Sequence, residues 1–307
     1  MKIELLEFVR NGGLEVKEYL AEYEKSKSLS TQYHTELFER YWHQYYPNFN
    51  LSKDAIDLIV DNKDVLDLYD IMSLQLKIGT MEKLTEILPK DDLKLIWAMF
   101  QTRREIAATR SGKIVDSILG IYDEIMRQFN LKNKVCVLDL GCGPVGRSIK
   151  DIIKLYGEEY KKDIIGYGVD LNLTTQDDIK NVKLIEGDLR DIENVINDTK
   201  FDVIYSTNAL FYLSPIDQMK VINYCLENLL NSNGSLIFDE AANLTKTRSD
   251  VIKFLNGGPD MNVSESWVEL TDSTRELIDY CIINYDAKIT KSATKLSPNV
   301  VISITKQ

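Results

Sequence analysis

An apolar run, Val135-Cys-Val-Leu-Asp139, ends in an acid and passes into Leu140-Gly-Cys-Gly-Pro-Val-Gly146. Glycines spaced in this way let a chain turn sharply after a strand and bring bare backbone against a ligand where a Cβ would clash. Gly141 and Gly143 suit those two tasks, and Gly146 lets a following helix pack close. Two further acids close later apolar runs: Asp170 after Ile164-Ile-Gly-Tyr-Gly-Val, and Asp188 in Glu186-Gly-Asp-Leu189. Carboxylates at the ends of strands are acceptors for the hydroxyl and amino groups of a bound nucleotide. Asp139 reads as a structural acid or one near the same ligand, whereas Asp239 and Glu240 read first as solvated or helix-capping acids and second as catalytic ones.

The other chemistry-bearing residues lie elsewhere. Tyr33-His-Thr-Glu-Leu-Phe-Glu-Arg-Tyr-Trp-His-Gln-Tyr-Tyr46 holds both histidines within a run of aromatics. On a helix, His34 and His43 fall on opposite faces, so one of them at most enters a pocket. This stretch reads first as an amphipathic packing helix, and second as an aromatic lid in which Tyr33 or His34 orients or deprotonates a substrate. Arg103, Arg104 and Arg110 precede a further helical pattern. Two histidines, and cysteines at 136, 142, 225 and 281 without ligand spacing, give no basis for a metal site and read as reduced thiols of a cytoplasmic protein.

These residues need a scaffold, and the two halves of the chain offer different ones. Residues 1–130 show helical periodicity in Leu14–Lys25, Ala55–Ile59, Val65–Ile78, a segment after Pro89 through Phe100, and Gly112–Phe129. From residue 131 onward, apolar strands near 135–139, 164–170, 182–185, 201–205 and 234–239 alternate with helical segments such as 149–156 and 216–230. That alternation predicts an α/β fold with a doubly wound, mostly parallel sheet. A helix over Thr271–Asp279 and strands over Cys281–Ile289 and Val300–Thr305, joined by a turn at Ser297-Pro298, predict an antiparallel terminal hairpin. The expected organisation is an all-α domain over 1–130, serving as substrate-recognition or lid domain, and a cofactor-binding domain over 131–307.

Val137-Leu-Asp-Leu-Gly-Cys-Gly-Pro-Val-Gly146 resembles the first motif of the class I S-adenosylmethionine (SAM)-dependent methyltransferases. Gly168-Val-Asp-Leu171, Glu186-Gly-Asp-Leu189 and Phe201-Asp-Val-Ile-Tyr-Ser-Thr-Asn-Ala-Leu210 resemble the next three in order, and the resemblance covers residues 133–307. It implies SAM as cofactor. Asp170 is then the acceptor for two ribose hydroxyls and Asp188 the acceptor for the adenine amino group. Leu171 and Leu189 flank the adenine ring, and Asn208 and Ala209 lie beneath the methionine moiety. Arg110 can pair with the cofactor carboxylate. Dinucleotide oxidoreductases share the G-x-G-x-x-G spacing with an acid about twenty residues on. Asp139, the Gly187-Asp188-Leu189 turn and the terminal hairpin favour methyl transfer over hydride transfer.

The acceptor is narrowed by exclusion. A net charge of -11 over 307 residues repels phosphate backbones, which disfavours nucleic acid. Ser206-Thr-Asn-Ala-Leu-Phe-Tyr212 lacks the Asn-Pro-Pro-Tyr or Asp-Pro-Pro-Tyr tetrad of amino-N methylases and lacks a Pro-Cys pair. A small metabolite or a peptide, methylated at O or N, is the leading expectation. The Thr/Arg-containing region before residue 112 loosely resembles the extension of aminoglycoside-resistance 16S rRNA guanine-N7 methyltransferases, which makes an rRNA methyltransferase the alternative. A catalytically silent SAM-fold binding protein is a third reading. No segment reads as a signal peptide or membrane span, so no membrane partner is expected.

Overall fold

A computed structural model of the chain describes residues 16–47, 49–74, 76, 78–103, 111–173, 179–197, 199–244, 268–270, 272–293 and 298–307. The chain divides into two compact units, Met1–Ala108 and Thr109–Gln307. Among the described residues, no helix is long and apolar enough to cross a membrane.

The first unit is helical: α1 (Lys17–Ser26), α2 (Thr31–Tyr45), α3 (Lys53–Asp61), α4 (Leu68–Met72), α5 (Ile78–Ile87) and α6 (Lys90–Arg103). Leu14 lies outside the described residues. Serines set two of the starts, because the hydroxyls of Ser30 and Ser52 accept from the amides of Tyr33 and Ala55, three residues on. Residues 65–78, periodic enough to suggest one helix, are interrupted. Asp67 accepts from the amides of Tyr69 and Asp70 to start the short α4, and Leu74 then takes a φ of 52°. The core is aromatic. Trp42 is fully buried and donates from Nε1 to the Phe49 carbonyl at 2.6 Å, and the Tyr46 hydroxyl donates to the Met72 carbonyl at 2.6 Å.

The second unit opens with α7 (Gly112–Leu119) and α8 (Ile121–Leu131), not with a strand. These helices, grouped with the helical half on periodicity alone, pack on the sheet. Val115, Ile118, Leu119, Ile121 and Ile125 share a core with Val135, Val137, Val203 and Tyr205. They are also two helices where the apolar pattern suggested one, because Gly120 sits between them at φ +67° and ends α7.

The sheet then follows as β1 (Lys134–Leu140), α9 (Arg147–Ile153, with a π-helical continuation Lys154–Glu159), β2 (Asp163–Asp170), β3 (Val182–Glu186), α10 (Ile192–Val195), β4 (Phe201–Ser206), α11 (Pro215–Tyr224, continued by Cys225–Leu229), β5 (Leu230–Leu244), β6 (Val268–Leu270), α12 (Asp272–Tyr285), β7 (Lys288–Ala293) and β8 (Pro298–Thr305). Its order is β3-β2-β1-β4-β5-β8-β7, with β6 paired to β5. β1 to β5 run parallel, and β8 pairs antiparallel with both β5 and β7. The doubly wound, mostly parallel sheet with an antiparallel end is therefore as expected.

The terminal hairpin starts later than the alternation suggested. Cys281–Tyr285 belong to α12, because Leu277, Ile278 and Cys281 recur at helical spacing and are all buried in the core. Ser297 of the expected turn lies outside the described residues, and Pro298 opens β8. Residues of β1 alternate between two cores. Val135 and Val137 face the side covered by α7, α8 and α9, while Leu138 and Leu140 face the side of α11 and α12. Asp139 has the parity of Val137, which sets which side its carboxylate faces.

Candidate cofactor site

Strand order reverses between β1 and β4, since β2 and β3 lie to one side and β5 to the other. Ligands of open α/β sheets bind at the carboxyl ends of the strands at that reversal. The loop 141–146 leaves β1 at that point. Gly141, Gly143 and Gly146 have φ values of +76°, +76° and +58°. The amides of Gly141 and Cys142 donate to the Val169 carbonyl at 2.8 and 3.0 Å, and the Gly143 amide donates to Asp170 Oδ2 at 2.9 Å. A Cβ on Gly141 would lie 2.2 Å from the Ala209 Cβ, so the loop rests directly on the exit of β4. A Cβ on Gly146 would meet Leu184 of β3 at 2.5 Å, the close packing expected at the start of α9.

Each strand-end acid has a defined setting. Asp170 is 4% exposed and also accepts from the Asn172 amide at 3.2 Å through Oδ1. Asp188 starts a 3-10 turn over Leu189–Asp191 and accepts from the Arg190 amide. The Arg190 side chain folds back onto it, with Nε at 3.1 and 3.0 Å from the two oxygens and Nη2 at 2.7 Å. That fork was not anticipated from the sequence, although an arginine two residues after an acid at a turn is a readable sign. Leu189 is buried and Leu171 is half-buried.

Asp139 is 3% exposed, and its Oδ2 accepts from the Tyr205 hydroxyl at 2.9 Å. The same hydroxyl lies 2.9 Å from Ser148 Oγ. Burial pushes the Asp139 carboxyl up to about 8, the Tyr205 hydrogen bond opposes the rise, and the charge of Asp170 adds to it. Burial likewise raises the Cys142 thiol well above its ordinary value, with Asp139 and Asp170 adding to it, which keeps that sulfur an uncharged filler beside Gly168.

At the end of β4, Asn208 adopts φ 53° and gives both its backbone N–H and its Nδ2 to Asp239, at 2.6 and 3.2 Å. Asp239 and Glu240 are 1% and 3% exposed. The expectation of solvated acids is therefore incorrect: the pairing of β4 with β5 and of β5 with β8 encloses this stretch of β5. Asp239 is a residue of the site whose functional role the sequence offered only as a second reading. Tyr205, Ser148 and Arg190 are residues of the site that sequence reasoning missed.

The arrangement fits a nucleotide-bearing, zwitterionic cofactor. The Thr207 hydroxyl, at the same strand end, is buried and makes no hydrogen bond among the described residues, a condition a polar ligand group relieves. The second unit thus brings together Asp139, Gly141, Gly143, Gly146, Asp170, Leu171, Asp188, Leu189, Asn208 and Ala209. Arg110 lies outside the described residues.

Tyr33 and His34 belong to the helical unit. The Tyr33 hydroxyl donates to Glu22 Oε1 at 3.2 Å, and Glu22 is also held by Arg40 and by the Tyr41 hydroxyl. His34 is 1% exposed, with its ring edge-on to Tyr23 at 5.1 Å. These are packing environments. Burial depresses the His34 imidazole below its usual 6.5, with a smaller contribution from Lys63. The unfolded chain therefore binds the proton more readily, and stability conferred by the neutral ring is lost as pH falls below about 6.5. Thermal melts from pH 7.5 to 5 are expected to show a drop that flattens in His34→Leu. An identical acid limb in the variant would show that this histidine is not the group responsible.

A family described as a methyltransferase domain matches residues 131–276. No curated protein matches the chain. Among solved structures, it is similar to magnesium protoporphyrin IX methyltransferase from Synechocystis PCC 6803 with bound SAH, at 14% identity and TM-score 0.40, covering 64% of this chain and 83% of that one. It is also similar to the N-methyltransferase NodS from Bradyrhizobium japonicum WM9 with SAH, at 10% identity and TM-score 0.38, covering 60% and 84%. A SAM-dependent methyltransferase from Methanosarcina mazei is a third, at 15% identity and TM-score 0.37, covering 59% and 96%.

Proposed function

We infer that this chain, a class I SAM-dependent methyltransferase with its methyltransferase domain at residues 131–276, methylates a small metabolite or a peptide at oxygen or nitrogen. The observation that carries this reading of the acceptor is the exit of β4. There, Ser206-Thr-Asn-Ala209 stands where amino-N methylases of bases have Asn-Pro-Pro-Tyr or Asp-Pro-Pro-Tyr. Asn208 is committed as scaffold, since its backbone and side chain both donate to Asp239. The acidic balance of the chain, net -11, supports the same reading by opposing approach of a polyanion.

When bound, SAM supplies an electrophilic methyl on a sulfonium, which an acceptor oxygen or nitrogen takes by in-line displacement. The task of the protein is alignment and exclusion of water. Asp170 is assigned to the ribose hydroxyls, Asp188 to the adenine amino group, Leu171 and Leu189 to the faces of the ring, and the Asn208–Ala209 turn to the floor under the methionyl end. The helical unit is assigned the choice of acceptor.

The test is a transfer assay with methyl-labelled SAM and the purified protein, offered separately to a small-molecule extract, a peptide pool and ribosomal subunits. Label in either of the first two is the expected result. Label confined to rRNA would establish the alternative, and saturable SAM binding without label anywhere would establish a silent binding protein.

A further inference from the structure

We propose that Tyr205 is a positioning residue for the cofactor loop, its single hydroxyl tying the residue that leads into the loop, Asp139, to the residue that leads out of it, Ser148. The proposal rests on the SAM-binding reading of this site and adds a residue to it.

The loop needs such a tie. Three of its six residues, Gly141 to Gly146, have positive φ, and chain of this kind has many conformations to lose when a ligand orders it. Its amides anchor its first half to β2, through Val169 and Asp170, while the Gly146 amide donates within the loop, to the Gly143 carbonyl at 3.2 Å. Asp139 stands before those amides, but they donate elsewhere, and the contact of its carboxylate is with Tyr205. Tyr205 is directly opposite Asp139 in the β1–β4 register, and its fully buried ring extends on the side covered by α9. From there the hydroxyl reaches both Asp139 Oδ2 and Ser148 Oγ at 2.9 Å. A phenylalanine would fill the same volume in this apolar layer, so the hydroxyl is the atom that needs an account. It fixes the distance between the two ends of the loop, and a loop fixed before the ligand arrives costs less to order on binding.

The experiment compares wild type, Tyr205→Phe, Ser148→Ala and the double variant as full-length proteins. Affinity for S-adenosylhomocysteine is read by calorimetry, and exchange of the loop amides in the ligand-free protein by NMR. Tyr205→Phe is expected to weaken binding about tenfold, the order expected for the loss of one buried hydrogen bond. Ser148→Ala should give a smaller loss, and the double variant should be no weaker than Tyr205→Phe alone, because both changes open one clamp. The loop amides of residues 141–143, 145 and 146 should exchange faster in Tyr205→Phe while those of β1 and β4 stay protected. Unchanged affinity, additive losses, or exchange that rises uniformly across the sheet would overturn the proposal. If Tyr205→Phe does not fold, the Ser148→Ala affinity and loop exchange decide alone, wild-type values counting against the clamp. Wild type failing to bind S-adenosylhomocysteine would instead overturn the cofactor reading, a separate result.

Discussion

Asp170→Ala is expected to weaken binding of S-adenosylhomocysteine by about 100-fold or more, while the protein still folds. The carboxylate is nearly inaccessible at the end of β2, and it holds the loop through the Gly143 amide at 2.9 Å. Removing it deletes the acceptor assigned to two ribose hydroxyls and releases the middle of the loop. Hydrogen bonds to a charged group are worth roughly 1.5–3 kcal/mol each, so losing two exceeds the roughly 2.8 kcal/mol that a 100-fold change represents. Asp170→Asn should recover little. Its amide group turns a donor toward either the Gly143 or the Asn172 N–H, both of which need an acceptor. Asp188→Ala should cost far less, about fivefold, because that carboxylate already shares its charge with the Arg190 fork. Calorimetry gives the affinities, and melts of the ligand-free proteins separate binding from folding. An Asp170→Ala affinity within twofold of wild type would end the ribose assignment.

The contrast between these two acids shows what the sequence could reveal. Both close an apolar strand, and strand ends in an alternating α/β pattern are legible from periodicity and glycine spacing alone. So were the sheet type, the loop and the antiparallel finish. The arginine fork on Asp188 depends on how a 3-10 turn wraps, which periodicity does not encode. Tyr205 reads as one more apolar residue of a buried strand until the register sets it opposite Asp139. Asp239 looked solvated because its burial comes from β8, whose residues lie some sixty positions later.

Errors of extent have the same origin. Gly112–Phe129 keeps its apolar period across Gly120, so the break appears only as a φ of +67°. Cys281–Tyr285 alternates over so few residues that strand and helix patterns coincide, and burial of Leu277, Ile278 and Cys281 on one face decided for the helix. Local pattern identified elements and their types. Long-range pairing decided which polar atoms meet, and that is where the unread part of the site lies.

Gly141→Ala carries the second large expected effect, and Gly120 provides its control. Both glycines have a left-handed φ, +76° and +67°, so an alanine at either pays a conformational cost of about 1–2 kcal/mol. Among the described residues nothing lies within 4 Å of a Cβ placed on Gly120, whereas one placed on Gly141 falls 2.2 Å from the Ala209 Cβ. A rotation cannot relieve that overlap, because both atoms are bonded directly to backbone. Either the loop lifts off the β4 exit or Ala209 moves, and Ala209 adjoins Asn208, which Asp239 holds. Overpacking of this kind costs a further 1–3 kcal/mol. Gly120→Ala is thus expected to lower Tm by only a few degrees, and Gly141→Ala by roughly 6–12 °C, with affinity for S-adenosylhomocysteine lost in the second alone. Adding Ala209→Gly to Gly141→Ala removes the steric part and leaves the conformational part. The double variant should therefore recover about half of the stability and most of the binding. Equal losses in Gly120→Ala and Gly141→Ala would mean that backbone strain alone sets the requirement for glycine, and that contact between the loop and the β4 exit plays no part in shaping the site.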